Sequence, residues 1–374
     1  MKLALKLFLS FAMLALCLWL VWPSSSAPPG ELSEMAQIEN AFEALEFAKF
    51  GPYLAAYFGL MLLQHLCRSL RWNYLLAPLG IKVPPGPLLA ISSVGFMAIL
   101  ALPLRLGEFV RPGLLRRRGI SASAALGTVA VERIVDGLMI SLFVFFAFVS
   151  LRGPESPGWM MPTAFVALGI FAAALMFILF AMKWPEKTVR FCLTISLLPR
   201  FAPRIAKVIE EKLLEMIRGF SVLRDTVNMI KFTLWTAVYW SANGMTVWVL
   251  AKGFQTIEPR FDLSFVGGFA VMGLVGVGIS LPNAPGLVGQ FQAFTLAGLS
   301  LYLGPEVLKH GSMYPVALAY AIVHHLFQVI WYVGMGALGL ASPWVSISDL
   351  RQMRHASPDD KPATPPPDRG TPAT

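Results

Sequence analysis

Charge is what this sequence has least of. Only 14% of its 374 residues are Asp, Glu, Lys or Arg, against 56% apolar. A soluble domain carries roughly a quarter charged residues. Fourteen per cent cannot cover a water-facing surface, so a soluble globular protein is excluded. Cysteine is almost as scarce. Cys17, Cys67 and Cys192 have no CxxC spacing, and each lies in or beside an apolar run. That excludes a disulfide framework and a cysteine-based zinc site, and leaves reduced packing residues. There is no G-x-S-x-G, no Walker A and no zinc motif, and nothing supports an ATPase. Histidine is sparse too: His324 and His325 are adjacent and point apart on a helix, with no acid or cysteine at ligand spacing. No metal and no cofactor is expected.

Long apolar runs are plentiful. A bilayer-spanning helix needs about 20 apolar residues. The net charge of +9 is then best read as cytoplasmic loop charge, which orients a membrane protein. Nucleic acid is not an expected partner, because the aromatics sit in apolar runs rather than in a basic groove.

The spans follow from hydropathy and the positive-inside rule. Residues 1–22 carry Lys2 and Lys6 before an apolar run. The small residues Ser24 to Ala27 run into Pro28, which disfavours signal cleavage, so an uncleaved first helix is expected. Residues 23–49 are acidic and read as outside, with room for a short interfacial helix. A span near Phe50–Cys67 returns inside, where Arg68, Arg71 and Trp72 read as an interfacial anchor.

Residues 86–102 are apolar, yet the next loop (Arg105, Arg111, Arg116, Arg117, Arg118, with Glu108 as its only acid) is basic again. One full crossing cannot join two inside loops, so a re-entrant hairpin broken near Pro103 is the simplest topology. Irregular backbone at membrane depth survives only where protein or a wet cavity surrounds it. Residues 122–150 exit and 162–182 return.

Residues 184–230 form a cytoplasmic linker. Ile205, Ile209, Leu213, Met216, Phe220, Leu223 and Val227 fall there at spacings of three and four, the signature of an amphipathic helix. Packing beneath the membrane domain or docking a partner both fit that helix. Residues 232–251 exit again. Two apolar runs, 263–281 and 287–303, are joined by Pro282-Asn283-Ala284-Pro285-Gly286 and read as a second hairpin, entered from outside, or as two close-packed spans, with the same parity. Residues 313–340 cross inward, and the proline-rich tail 346–374 is expected to be disordered.

The expectation is an all-α polytopic membrane protein. It has about six full transmembrane helices plus two re-entrant or broken helical hairpins, a candidate inverted repeat, and both termini inside. Residues 1–345 form the membrane domain. Paired broken segments in two halves point to a transporter with a site near the midplane.

Three clusters carry chemistry. Pro103, Arg105, Gly107, Glu108 and Arg111 place charge at the end of the first hairpin, either as a structural ion pair or as a guanidinium site for a lipid phosphate. Glu132, Arg133 and Asp136 lie deep in an apolar run, where ionisable groups mark function by default; a buried packing network is the competing reading. Pro282, Asn283, Pro285, Gly286, Gly289, Gln290 and Gln292 break the second hairpin and add polar side chains. A helix restarting there could aim its N-terminus at an anion, and a tight turn is the bland alternative.

These residues resemble a known family, the transmembrane flippase-like region of lysylphosphatidylglycerol synthases and its stand-alone bacterial relatives. The resemblance spans about residues 1–345. It rests on Arg68-Ser-Leu-Arg71-Trp72 followed by Leu75-Leu76 and Gly80; on Leu102-Pro103-Leu-Arg105-Leu-Gly107-Glu108 with Arg111; on Val131-Glu132-Arg133-Ile-Val-Asp136; and on Leu281-Pro282 to Pro285-Gly286-Leu-Val-Gly289. Two departures stand out. The family often has Asn shortly before the first hairpin's proline, where this chain has Ala98 to Ala101. It often ends the later motif in Glu, where this chain has Gln292, which argues against proton coupling there. The aminoacyl-transferase domain of the full synthases is missing.

The resemblance implies a non-enzymatic translocase in the bacterial cytoplasmic membrane, moving an anionic phospholipid or a polyprenyl-phosphate-linked lipid between leaflets. A membrane glycosyl- or phosphotransferase and a regulatory scaffold are the alternatives. The expected partners are a membrane lipid, a membrane or cytoplasmic protein, and a second copy of the chain.

Overall fold

The structure is a computed structural model. It describes residues 2–27, 30–116, 121–150, 158, 160–196, 198–280, 285–348 and 350. The proposed disordered tail therefore lies outside the described residues, apart from a few at its start.

The described chain is helical throughout, with no strand. In order the helices are α1 (Lys2–Val21), α2 (Glu34–Glu43), α3 (Phe47–Leu70), α4 (Trp72–Leu76), α5 (Pro85–Ala101), α6 (Val110–Leu115), α7 (Ala122–Ser150), α8 (Met160–Lys183), α9 (Pro185–Ser196), α10 (Leu198–Phe201), α11 (Pro203–Gly219), α12 (Thr226–Phe254), α13 (Phe265–Ser280), α14 (Gln290–Leu303) and α15 (Tyr314–Ala341). A 3-10 helix, Pro103–Phe109, joins α5 to α6. Among the described residues three helices are long and apolar enough to cross a membrane by length and composition: Ala122–Ser150, Met161–Lys183 and Tyr314–Ala341. The 29 residues of α7 span about 44 Å. The fold is an all-α polytopic membrane fold.

Helix ends follow local chemistry. Ser33 caps α2 by accepting from the Ala36 N–H. Asp225 caps α12 by accepting from the Asn228 N–H at 3.0 Å. Those bonds hold the Asp225 carboxyl below its usual range. The expected short helix in the acidic segment after α1 is α2. The amphipathic linker helix is shorter than its spacing predicted. It ends at Gly219, whose Cα side lies against the Ala124 carbonyl and Gly127 of α7, and a 3-10 turn follows over Phe220–Arg224. Phe220 is buried in the core, whereas Ile205 and Val227 are exposed. The middle of the stripe packs against α7, and its two ends do not.

Small residues set the helix pairings. α3 and α12 run antiparallel: Gly253 meets Phe50 at one end, and Gln64 reaches the Ala242 carbonyl near the other. α5 and α15 are antiparallel through Gly336 on Met97 and Gly339 on Ala90 and Val94. α7 and α13 are antiparallel through Gly273 on Val144 and Gly276 near Ile140. Each hairpin also folds on itself. Gly107 sits on the backbone of Ala98 and Ile99, where a Cβ would meet Ile99 N at 2.1 Å. In the second hairpin Gly278 faces Phe294 and Gly298 faces Val271.

Exchanging α3 with α12, α5 with α13, α6 with α14 and α7 with α15 maps these packing pairs onto one another. The first arm of each hairpin leans on the last long helix of the other half. The local sequence agrees: Pro103-x-x-x-Gly107-Glu108 and Pro285-x-x-x-Gly289-Gln290 break the two hairpins in the same way. That is the packing an inverted repeat produces.

Candidate functional site

The first cluster is a closed network of buried charge. α7 carries Glu132 and Asp136 four residues apart, on one face of the helix. Both are buried, as are Arg71 and Arg111. Arg71, at the junction of α3 and α4, makes a two-pronged contact with Asp136, at 2.8 Å on each prong. It also reaches Glu132 at 3.3 Å and donates to Thr236 Oγ1 at 2.8 Å. Arg111 pairs with Glu132 at 3.1 Å and stacks over Trp72 at 4.0 Å. Gly95 makes room for the Arg111 stem, since a Cβ there would fall 2.2 Å from Arg111 Cγ. Arg133 contacts Glu132 at 2.7 Å, Asp136 at 3.2 Å and Glu108 at 3.9 Å. Trp240 Nε1 donates to Asp136 at 3.0 Å.

Arg71 and Trp72 are thus not an interfacial anchor. Neither exposes any surface, because two carboxylates on α7 and the Thr128 hydroxyl bind them from inside. Nothing near Arg71 in sequence announces those partners.

The second cluster is neutral. Gln292 Oε1 accepts from the Gly289 N–H at 2.9 Å, and Gln292 Nε2 meets His325 Nδ1 at 3.0 Å. His325 Nε2 lies 2.8 Å from the Gly286 carbonyl. A carbonyl only accepts, so Nε2 carries the proton and Nδ1 accepts from Gln292. His325 on α15 thereby clasps the turn of the second hairpin. Gln290 Nε2 donates to the Gly278 carbonyl at 2.7 Å and ties the two arms. Gly286 and Gly289 both have φ of +76°, a conformation in which glycine avoids a steric penalty. Phe291 stacks on the His325 ring at 4.7 Å.

A cavity of about 160 Å³ lies between the two clusters. Arg68 and Arg133 line it together with Tyr239, Trp240 and Tyr332; His324, His325, Asn243 and Gln328 line it from α15 and α12. Phe96, Val275 and Gly276 belong to the apolar wall. Arg68 stacks over Phe96 at 4.0 Å and donates to Tyr332 at 3.4 Å. Among the described residues it forms no ion pair. His324 Nδ1 is buried without a hydrogen-bond partner.

The structure therefore brings Glu108, Arg111, Glu132, Arg133 and Asp136 into one network, and Gly286, Gly289, Gln290 and Gln292 into the other. Of the charged candidates whose side chains are described, only Arg133 reaches the cavity wall. Gly107 is buried at the fold of the first hairpin. Pro103 and Pro285 start 3-10 turns. The side chain of Arg105, and Pro282 and Asn283 altogether, lie outside the described residues. Sequence reasoning missed Arg68 as a cavity residue, and missed His324 and His325. The only available signal was three polar positions inside otherwise apolar helices. Among the described residues no group of His, Cys, Asp and Glu could hold a metal ion.

A family model described as Lysylphosphatidylglycerol synthase TM region matches residues 4–336. No curated protein and no solved structure matches the chain.

Proposed function

The chain belongs to the lysylphosphatidylglycerol synthase TM region family, and from that membership we propose that it is a lipid translocase of the bacterial cytoplasmic membrane. Its substrate is an anionic phospholipid or a polyprenyl-phosphate-linked lipid, which it moves between leaflets without chemical change. Family membership supports the coarser statement, a multi-pass membrane protein of lipid biosynthesis or translocation.

One observation carries the finer reading. The cavity between the two pseudo-equivalent halves is polar on a wall that hydrocarbon would otherwise face, and Arg68 and Arg133 sit on it. A polar headgroup crossing bare hydrocarbon loses its water at a cost of several kcal/mol per group. Guanidinium groups and tyrosine and tryptophan donors replace part of that water. Arg suits phosphate because its planar fork binds two oxygens.

The buried network has a supporting role. Arg133 shares Glu132 and Asp136 with Arg71, so its charge is partly balanced and a phosphate is released as well as captured. Movement runs downhill or on an ion gradient, with the hairpins as the mobile elements and both termini in the cytoplasm.

The test is headgroup movement in proteoliposomes. Fluorescent acyl-labelled phospholipids and a polyprenyl phosphate would be followed by quenching from outside. Accelerated quenching with the wild type, and its loss in Arg133→Gln, is the expected result. A rate equal to that of empty liposomes for every lipid, with folded protein, would refute translocation.

A further inference from the structure

We infer that the cavity selects lipid headgroups that carry a phosphate and no amine. It is built to reject the aminoacylated headgroup that the family's description names. The inference rests on the reading of the cavity as the headgroup site.

Among the described residues no carboxylate lines the cavity, while two guanidinium groups do. Around it, the side chains of Arg68, Arg71, Arg111 and Arg133 face Glu108, Glu132 and Asp136. Arg68 is the cation left over, and it sits on the wall itself. A bound phosphate would balance it.

An amine has no equivalent place. Ammonium groups are held by carboxylates or by open aromatic faces. The carboxylates here are consumed: Glu132 and Asp136 are buried under three arginines. Two of the lining rings already carry a guanidinium group. Arg68 stacks on Phe96 at 4.0 Å, and Arg71 lies over Tyr239 at 4.9 Å. A lysyl ester brings two ammonium groups into this positive field. The far wall offers only neutral hydrogen bonding, including the unpartnered His324 Nδ1. That chemistry suits hydroxyl groups, such as those of glycerol or a sugar.

The experiment reads binding and movement separately. The detergent-purified full chain is offered equimolar phosphatidylglycerol and lysylphosphatidylglycerol, and retained lipid is counted by native mass spectrometry. Phosphatidylglycerol should be retained at least about tenfold more, since like-charge juxtaposition costs more than the 1.4 kcal/mol that a factor of ten represents. Arg68→Gln should shrink that ratio, and Arg68→Glu should invert it. Thermal melting verifies that each variant is folded, and the wild-type ratio decides alone if one is not. Equal retention, or preference for the lysyl lipid, would overturn the inference. Displacement of bound lipid by equimolar glycerol phosphate would overturn a lipid as the source of the headgroup.

Movement of both lipids is then followed in proteoliposomes. A binding preference without movement leaves the selective site standing and removes translocation. Movement of both at one rate leaves translocation standing and removes the selectivity.

Discussion

The two hairpins solve one problem in opposite ways. Each places polar groups among apolar helices, at a broken turn beside a long helix of its own half. The first half answers with charge: three carboxylates and three arginines interlock across α3, the first hairpin, α7 and α12. The second answers with neutral groups: Gln290, Gln292 and His325 satisfy one another and the backbone of the turn. Buried ions attract strongly but are costly to desolvate. Neutral bonds give less and risk less. In the charged half, removing any member strands the rest. The neutral half is held by a few ordinary hydrogen bonds.

The comparison breaks most visibly at Glu132. It is the one carboxylate shared by Arg71, Arg111 and Arg133. Glu132→Gln should destabilise the folded protein by about 3–5 kcal/mol, the cost of stranding buried partners. Melting of the detergent-solubilised protein reads it. A loss below that of any single change in the second hairpin would contradict the contrast.

Next is closure of the first hairpin. Gly107→Ala puts a methyl group into the Ile99 backbone. It should lower stability by about 1–3 kcal/mol, as overpacking does, and should slow headgroup movement. Normal melting and movement would show that the hairpin has room.

Gln292→Leu probes the neutral half. It removes the acceptor for Gly289 and the donor for His325, and should cost about 1–3 kcal/mol. The double variant Gln292→Leu with His325→Phe should be less damaging than the sum, since the two act as one unit. Strict additivity would argue against the clasp.

The smallest effect lies outside the membrane, at Asp225, a carboxylate that water reaches. Its folded pKa is lowered by hydrogen bonds from Asn228. Its stabilisation of α12 is therefore present above the ordinary carboxylate range, near pH 4, and fades as pH falls through the lower folded value. Asp225→Ala should shift the melting temperature slightly at neutral pH and not at all in acid. Equal shifts at both would show that the cap is not electrostatic.

Much of this was legible in the sequence. Low charge and long apolar runs announce the membrane, and the residues 122–150 read as a span are those of α7. The motifs at 102–108 and 131–136 mark the charged half. What was hidden is partnership at long range. Arg71 looked like an anchor because basic residues beside tryptophan usually are; its partners lie 61 and 65 residues away. His325 meets Gln292 across 33 residues, so helical spacing could not reveal the clasp. The linker stripe failed for another reason: periodicity continues past Gly219, but the α-helix gives way there to a 3-10 turn that leads into the Asp225 cap of α12. The pseudo-symmetry showed in the sequence only as paired broken segments, because the halves share a packing scheme and one short Pro-to-Gly spacing, and little else.

The central claim is that lipid headgroups travel through the cavity between the halves. The most direct measurement is headgroup movement in proteoliposomes with that cavity filled. Leu100 lines it and is only half-buried, so Leu100→Trp adds bulk on the cavity wall. The account predicts unchanged melting and at least about tenfold slower movement of phosphatidylglycerol, a barrier raised by some 1.4 kcal/mol or more. Wild-type rates with the cavity blocked would contradict it.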